Sequence, residues 1–167
     1  SKASKVSNLT IIHYRLGDKK ATAAQMEHTK DFNTDLIIDP ISYVNVLKQI
    51  TNLDENNIFV VSDEPKLAQK LLLDVGLKAK INSRAGNIWE DVSFMSQANV
   101  FIGSKSQVSQ IVNICVEANG GKSFMLNLLK PINYEKFPNT NYVKAKFLEA
   151  NHSIYSLDFE LENNAHT

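Results

Sequence analysis

Apolar residues in this chain arrive in short unbroken runs. LTII (9–12), IFVV (58–61) and VFI (100–102) are continuously hydrophobic. That is the signature of strands covered on both faces, as in a parallel sheet with helices on each side. With their flanks, these runs predict strands over 9–14, 57–62 and 99–103. Weaker runs predict strands over 79–82 and 123–127. Between them the spacing changes to three and four. A first helix opens at Asp39-Pro40, with proline at an early helical position and Ile41, Val44, Leu47 and Ile50 spaced by three. A second runs over about 64–75 and stops at Gly76, a residue type suited to the left-handed turn after a helix. A third, over about 88–98, carries Glu90 and Asp91 near the positive end of its dipole. A fourth, over about 105–118, ends at Asn119-Gly120-Gly121.

Strands alternating with helices in this way predict an α/β fold, a Rossmann-like doubly wound parallel sheet. Two segments stand outside the repeat. Residues 16–38 form a long polar connection after the first strand, where functional loops are common. Residues 128–167 read as a tail with a late helix near 141–150 and a short extended piece over 153–157. The expected organisation is a single domain over 1–167, with its core over about 8–127 and a C-terminal tail over 128–167.

Composition narrows the function classes. The 167 residues carry no net charge, so no whole-molecule field draws in nucleic acid or an anionic membrane, and any anion site must be local. No basic stripe is interleaved with aromatics, which argues against a nucleic-acid partner. A single cysteine, Cys115, allows no internal disulfide; it sits among Ile111, Val112, Ile114 and Val116 and reads as an inert core residue. No run approaches the ~20 apolar residues of a membrane span, and the polar start SKASKVSN lacks signal-peptide character. The expected location is cytoplasmic, at most peripheral to the inner membrane face.

In an open α/β sheet, ligands sit beyond the carboxyl ends of the strands. Those ends supply His13 and Arg15, then Ser62 and Asp63, then Ser104, Lys105 and Ser106. The last three precede a helix, whose free N–H groups and dipole favour an anion. Arg15 is one of two arginines, with Arg84, against sixteen lysines. Its planar fork matches phosphate oxygens two at a time, as an ammonium cannot. An arginine and a serine-rich helix start on one rim suggest a pyrophosphate site. Each residue also has a structural alternative: N-capping for Ser104 and Ser106, an ion pair with Asp18 for Arg15, a satisfied core position for His13, and a helix cap for Asp63. Trp89 reads as packing. GGKS (120–123) fails as a phosphate loop, because Val116 stands where the motif needs glycine and the segment precedes a strand. His28, Asp31, Asp35 and Asp39 match no metal-site spacing.

Three segments together resemble a known family. HYRLGD (13–18) is similar to the HxRxGD/HxRRxD motif of the GDP-fucose-dependent fucosyltransferases. NIFVVSDEP (57–65) resembles the intervening segment of the bacterial α1,2-fucosyltransferases, as does the DPISYVNVLKQI helix. EDVSFMSQANVFIGSKSQVSQIV (90–112) resembles the later motif, especially of the α1,6-fucosyltransferase and nodulation-fucosyltransferase branch. Order and spacing agree over about 9–127. Leu16 replaces the second arginine of the HxRRxD form, and Gln107-Val108 replaces an aromatic pair of the α1,2 enzymes, so the branch stays open.

The resemblance implies one half of a GT-B glycosyltransferase, the C-terminal donor-binding domain. It implies GDP-fucose as donor substrate, a glycan hydroxyl as acceptor, inverting transfer and no obligatory metal or other cofactor. By position, Arg15 matches the arginine that holds the pyrophosphate and His13 the histidine near the guanosine. Asp91 matches the aspartate that reads the guanine edge, and Ser104, Ser106 and Gln107 the turn that contacts phosphates. Ser62 and Asp63 lie in the matched intervening segment. Arg15 is the expected catalytic group, and Asp18 the in-chain candidate for acceptor-side chemistry. The acceptor domain of such an enzyme lies outside this sequence, so the chain alone is expected to bind nucleotide without efficient transfer. The competing expectation is a non-catalytic α/β domain that binds a nucleotide or a partner protein.

Overall fold

β1 (Thr10–His13) lies at the centre of a six-stranded, all-parallel sheet. A computed structural model describes residues 8–16, 37–82 and 87–148 of the chain. Around β1 the other strands are β2 (Ile58–Val61), β3 (Lys80–Ile81), β4 (Val100–Ser104), β5 (Lys122–Leu126) and β6 (Thr140–Val143), in the order β3-β2-β1-β4-β5-β6. The helices are α1 (Pro40–Leu47), α2 (Pro65–Asp74), α3 (Ile88–Met95) and α4 (Gln107–Ala118). This is the Rossmann-like strand order, and it reverses at β1, which pairs with β2 on one side and β4 on the other.

The unbroken apolar runs are explained by two separate cores. Alternate residues of each strand point to opposite faces. Ile12, Ile58, Val60, Val100, Ile102, Phe124 and Leu126 pack with Tyr43, Val46 and Leu47 of α1 and Leu67, Ala68, Leu71 and Leu72 of α2. Ile11, Val61, Phe101 and Met125 face the other way, onto Val92 and Met95 of α3 and Val112 and Val116 of α4. Helices therefore cover both faces, and every residue of β1 and β4 is buried.

Helix ends follow local chemistry. The Asp39 carboxylate accepts from the Ile41 N–H at 3.0 Å and starts α1 with Pro40 in its first turn. α2 ends before Gly76, whose φ of +88° is the left-handed conformation that favours glycine. The Asn87 side chain accepts from the Glu90 N–H at 3.0 Å and caps α3. Asn87→Ala is expected to lower stability by about 1 kcal/mol, the usual effect of losing an N-cap. A urea melt reads it as a lower midpoint with an unchanged slope.

Two expectations need correction. Over 141–148, the described part of the expected late helix near 141–150, the chain is instead β6 followed by an extended strap. Val143, Ala145 and Phe147 all pack against the α1–α2 core, while Lys144 and Lys146 between them are exposed. That is a period of two, and the open edge of β5 takes it up as a parallel strand. The strap then binds the start of α1: the Asp39 N–H donates to the Lys146 carbonyl at 2.8 Å, and the Leu148 N–H to the Ile37 carbonyl at 2.7 Å. The sheet thus continues past residue 127. The second correction concerns α4: Val112 and Val116 are buried, but Ile111 and Ile114 are exposed and Cys115 is only half-buried. The expected extended piece over 153–157 lies outside the described residues. Among the described residues, no helix is long and apolar enough to cross a membrane.

Candidate functional site at the strand switch point

The exit of β1 is held from several directions. The ladder continues one residue past the strand, with the Tyr14 N–H donating to the Val61 carbonyl at 2.9 Å. Tyr14 and Leu16 are fully buried on the α1–α2 side. The Tyr14 ring meets the Tyr43 ring with centroids 4.8 Å apart, and its hydroxyl donates to the Ile38 carbonyl. The Leu16 N–H donates to the Asp63 carboxylate at 2.9 Å. Because Ile12, Tyr14 and Leu16 share one face, alternation sends His13 and Arg15 to the other. Both line a cleft of about 370 Å³ above the carboxyl ends of β1 and β2, walled also by Ser62, Asp63, Asn87, Ile88, Asp91, Met95 and Val108.

Five of the residues singled out from sequence therefore come together: His13, Arg15, Ser62, Asp63 and Asp91. Ser62 and Asp63 also hold the rim in shape. The Ser62 hydroxyl accepts from the Glu64 N–H at 3.0 Å, just ahead of α2. Asp63 ties the β1 exit through Leu16.

The serine-rich turn is placed differently. Ser104 and Ser106 are buried, Gln107 is exposed, and none of the three lines the cleft; Val108 of the same segment does. The Ser106 hydroxyl accepts from the Ser109 N–H at 3.0 Å and caps α4. The Ser104 N–H donates to the Ser109 hydroxyl at 3.1 Å. Ser109 in turn lies 2.6 Å from Nδ1 of His13. Asp18 lies outside the described residues, as do His28, Asp31, Asp35 and Arg84.

The electrostatics are uneven across the cleft. His13 has its pKa lowered to about 4, first by burial and then by the Arg15 guanidinium, with Asp63 opposing. It is neutral at pH 7. Asp91 has its pKa raised, by partial burial and by the adjacent Glu90 carboxylate. The cleft thus carries the Arg15 guanidinium together with the Asp91 carboxylate and two apolar side chains of α3, Ile88 and Met95. Among the described residues, no group of three His, Cys, Asp or Glu is arranged to hold a metal.

Sequence reasoning missed Asn87, Ile88, Met95, Val108 and Ser109. The apolar wall residues carry no chemical mark in the sequence, and Ser109 owes its role to a partner 96 residues away. Trp89, expected to pack, is 71% exposed. It borders a second, wider hollow on the outer side of α3, with Asn82, Glu90, Ser93, Phe94 and Gln97.

No family model matches the chain. No curated protein matches it.

Proposed function

We propose that the cleft is the donor-nucleotide site of a GDP-fucose-dependent fucosyltransferase, and that the chain is the donor-binding half of such an enzyme. The observation that carries this reading is the meeting of Arg15, His13 and Asp91 in one cleft. They come from two sequence motifs about 75 positions apart, and the cleft lies at the switch point of the sheet. Its volume falls in the usual range for small-molecule sites.

In this reading Arg15 takes the pyrophosphate oxygens in its planar fork. Asp91 accepts two hydrogen bonds from the N1–H and N2–H edge of guanine, a donor pair that adenine lacks. Ile88 and Met95 cover the base. When the bond from fucose to the diphosphate breaks, negative charge grows on the departing GDP. A guanidinium already in place stabilises that charge without reorganisation. The acceptor is a glycan hydroxyl presented by a separate acceptor domain.

Calorimetry with GDP, ADP and UDP tests the proposal. GDP is expected to bind most tightly, and Asp91→Ala to remove the preference for guanine while leaving binding through the phosphates. Equal binding of the three nucleotides by the unaltered protein, or binding of none, rejects it.

A further inference from the structure

Ser109 is not among the residues that line the cleft, yet three features of the chain converge on it. Ser106 accepts its N–H, Ser104 donates to its hydroxyl oxygen, and Gly103 leaves room for it. A Cβ added at Gly103 would stand 2.8 Å from the Ser109 oxygen and 2.6 Å from the Phe101 ring. The turn from β4 into α4 therefore fixes one hydroxyl, and that hydroxyl meets Nδ1 of His13 at 2.6 Å.

The direction of that hydrogen bond can be deduced. Ser109 is 0% exposed, so its proton needs a protein acceptor. Its oxygen already accepts from Ser104, and among the described residues it has no partner for its proton other than His13. Were Nδ1–H to donate to the oxygen, the serine proton would be buried without an acceptor. The serine must donate, so Nδ1 is unprotonated. A neutral imidazole then carries its proton on Nε2. Among the described residues Nε2 has no hydrogen-bond partner, and His13, 7% exposed, lines the cleft.

We propose that Ser109 is a positioning residue that locks His13 in its Nε2–H tautomer, making the histidine an uncharged hydrogen-bond donor to oxygen atoms of the ligand in the cleft. Only the identity of that ligand, GDP, rests on the reading given above. The charge there is supplied by Arg15. The lowered pKa of His13 agrees with a donor that stays neutral, so the direction of its donation does not change over the physiological pH range.

The test begins without ligand. Long-range ¹H–¹⁵N spectra of the unaltered protein at pH 7 should show His13 Nδ1 as the unprotonated nitrogen and Nε2 as the protonated one. The reverse assignment, or an even mixture, overturns the proposal. In Ser109→Ala the ring should become a mixture of tautomers. If the single Nε2–H form persists there, another group sets it and the proposal fails; if that variant does not fold, the spectrum of the unaltered protein still decides. Adding GDP should shift the Nε2–H proton resonance, and GDP affinity in Ser109→Ala should fall several-fold while the preference for guanine over adenine is kept. GDP binding that leaves the Nε2–H resonance unmoved overturns the donor role while the nucleotide site stands. Failure of GDP to bind at all rejects the nucleotide reading, and the ligand-free spectra judge the tautomer separately.

Discussion

Between about pH 6.5 and pH 4 the protein is expected to lose about 3 kcal/mol of stability that a His13→Asn variant does not lose. In the unfolded chain His13 titrates near its ordinary value of 6.5, while in the folded protein the value is lowered to about 4. Within that window the unfolded state binds the proton and the folded state does not, so stability falls as pH falls. The loss is complete below the folded value, and above 6.5 the full stability is present. A displacement of about two and a half pH units corresponds to about 3 kcal/mol at 1.36 kcal/mol per unit. The causes are burial first and Arg15 second. Asp91, whose value is raised, acts in the opposite direction and is common to both proteins, so the difference between them isolates His13. Asparagine suits the comparison because its amide oxygen can still accept from Ser109 while the side chain no longer titrates. Urea midpoints at pH 7, 5.5 and 4 read the effect. Parallel pH profiles for the two proteins would show that His13 is not held neutral by its surroundings.

The features that place this site were unequally visible in the sequence. The central strands announced themselves because a parallel sheet covered on both faces needs apolar residues at consecutive positions. Ile11 and Ile12 serve opposite cores, and no polar residue could alternate between them. The helix starts were visible where chemistry is local: Asp39 with Pro40, or Gly76 after α2. β6 was hidden because Lys, Ala and Glu in 141–150 are good helix formers, and only the open edge of β5 decides in favour of a strand. In the site, His13, Arg15, Ser62 and Asp63 were legible because strand ends in this fold class face the ligand. Asp91 was reached only through a motif. The serines show the limit most clearly. Ser104 and Ser106, ahead of a helix, suggested phosphate contacts, and Ser106 was also open to the N-cap role that the structure gives it. That the same turn serves a histidine 96 residues earlier depends on β1 and β4 being neighbours, which no local pattern encodes.

Arg15→Ala should weaken GDP binding by about 1.5–3 kcal/mol, roughly 10- to 150-fold, the range for losing a charge-assisted contact to phosphate. Guanosine, which has no phosphate, should bind the variant and the unaltered protein nearly alike. Arg15→Lys should fall between, because an ammonium keeps the charge but cannot hold two oxygens in a plane. The placement of Arg15 makes this a demanding test. Its neighbours Tyr14 and Leu16 are buried and pinned, through the Val61 carbonyl and the Asp63 carboxylate, so the backbone under the guanidinium is fixed before any ligand arrives. A change confined to the side chain should therefore appear in phosphate affinity. Removing Arg15 also removes a cation beside His13, which should raise the histidine's pKa from its lowered value. The two readouts are independent. If GDP and guanosine lose the same affinity, Arg15 acts on the cleft as a whole and holds no phosphate; if the histidine's titration also stays put, the guanidinium does not act on His13.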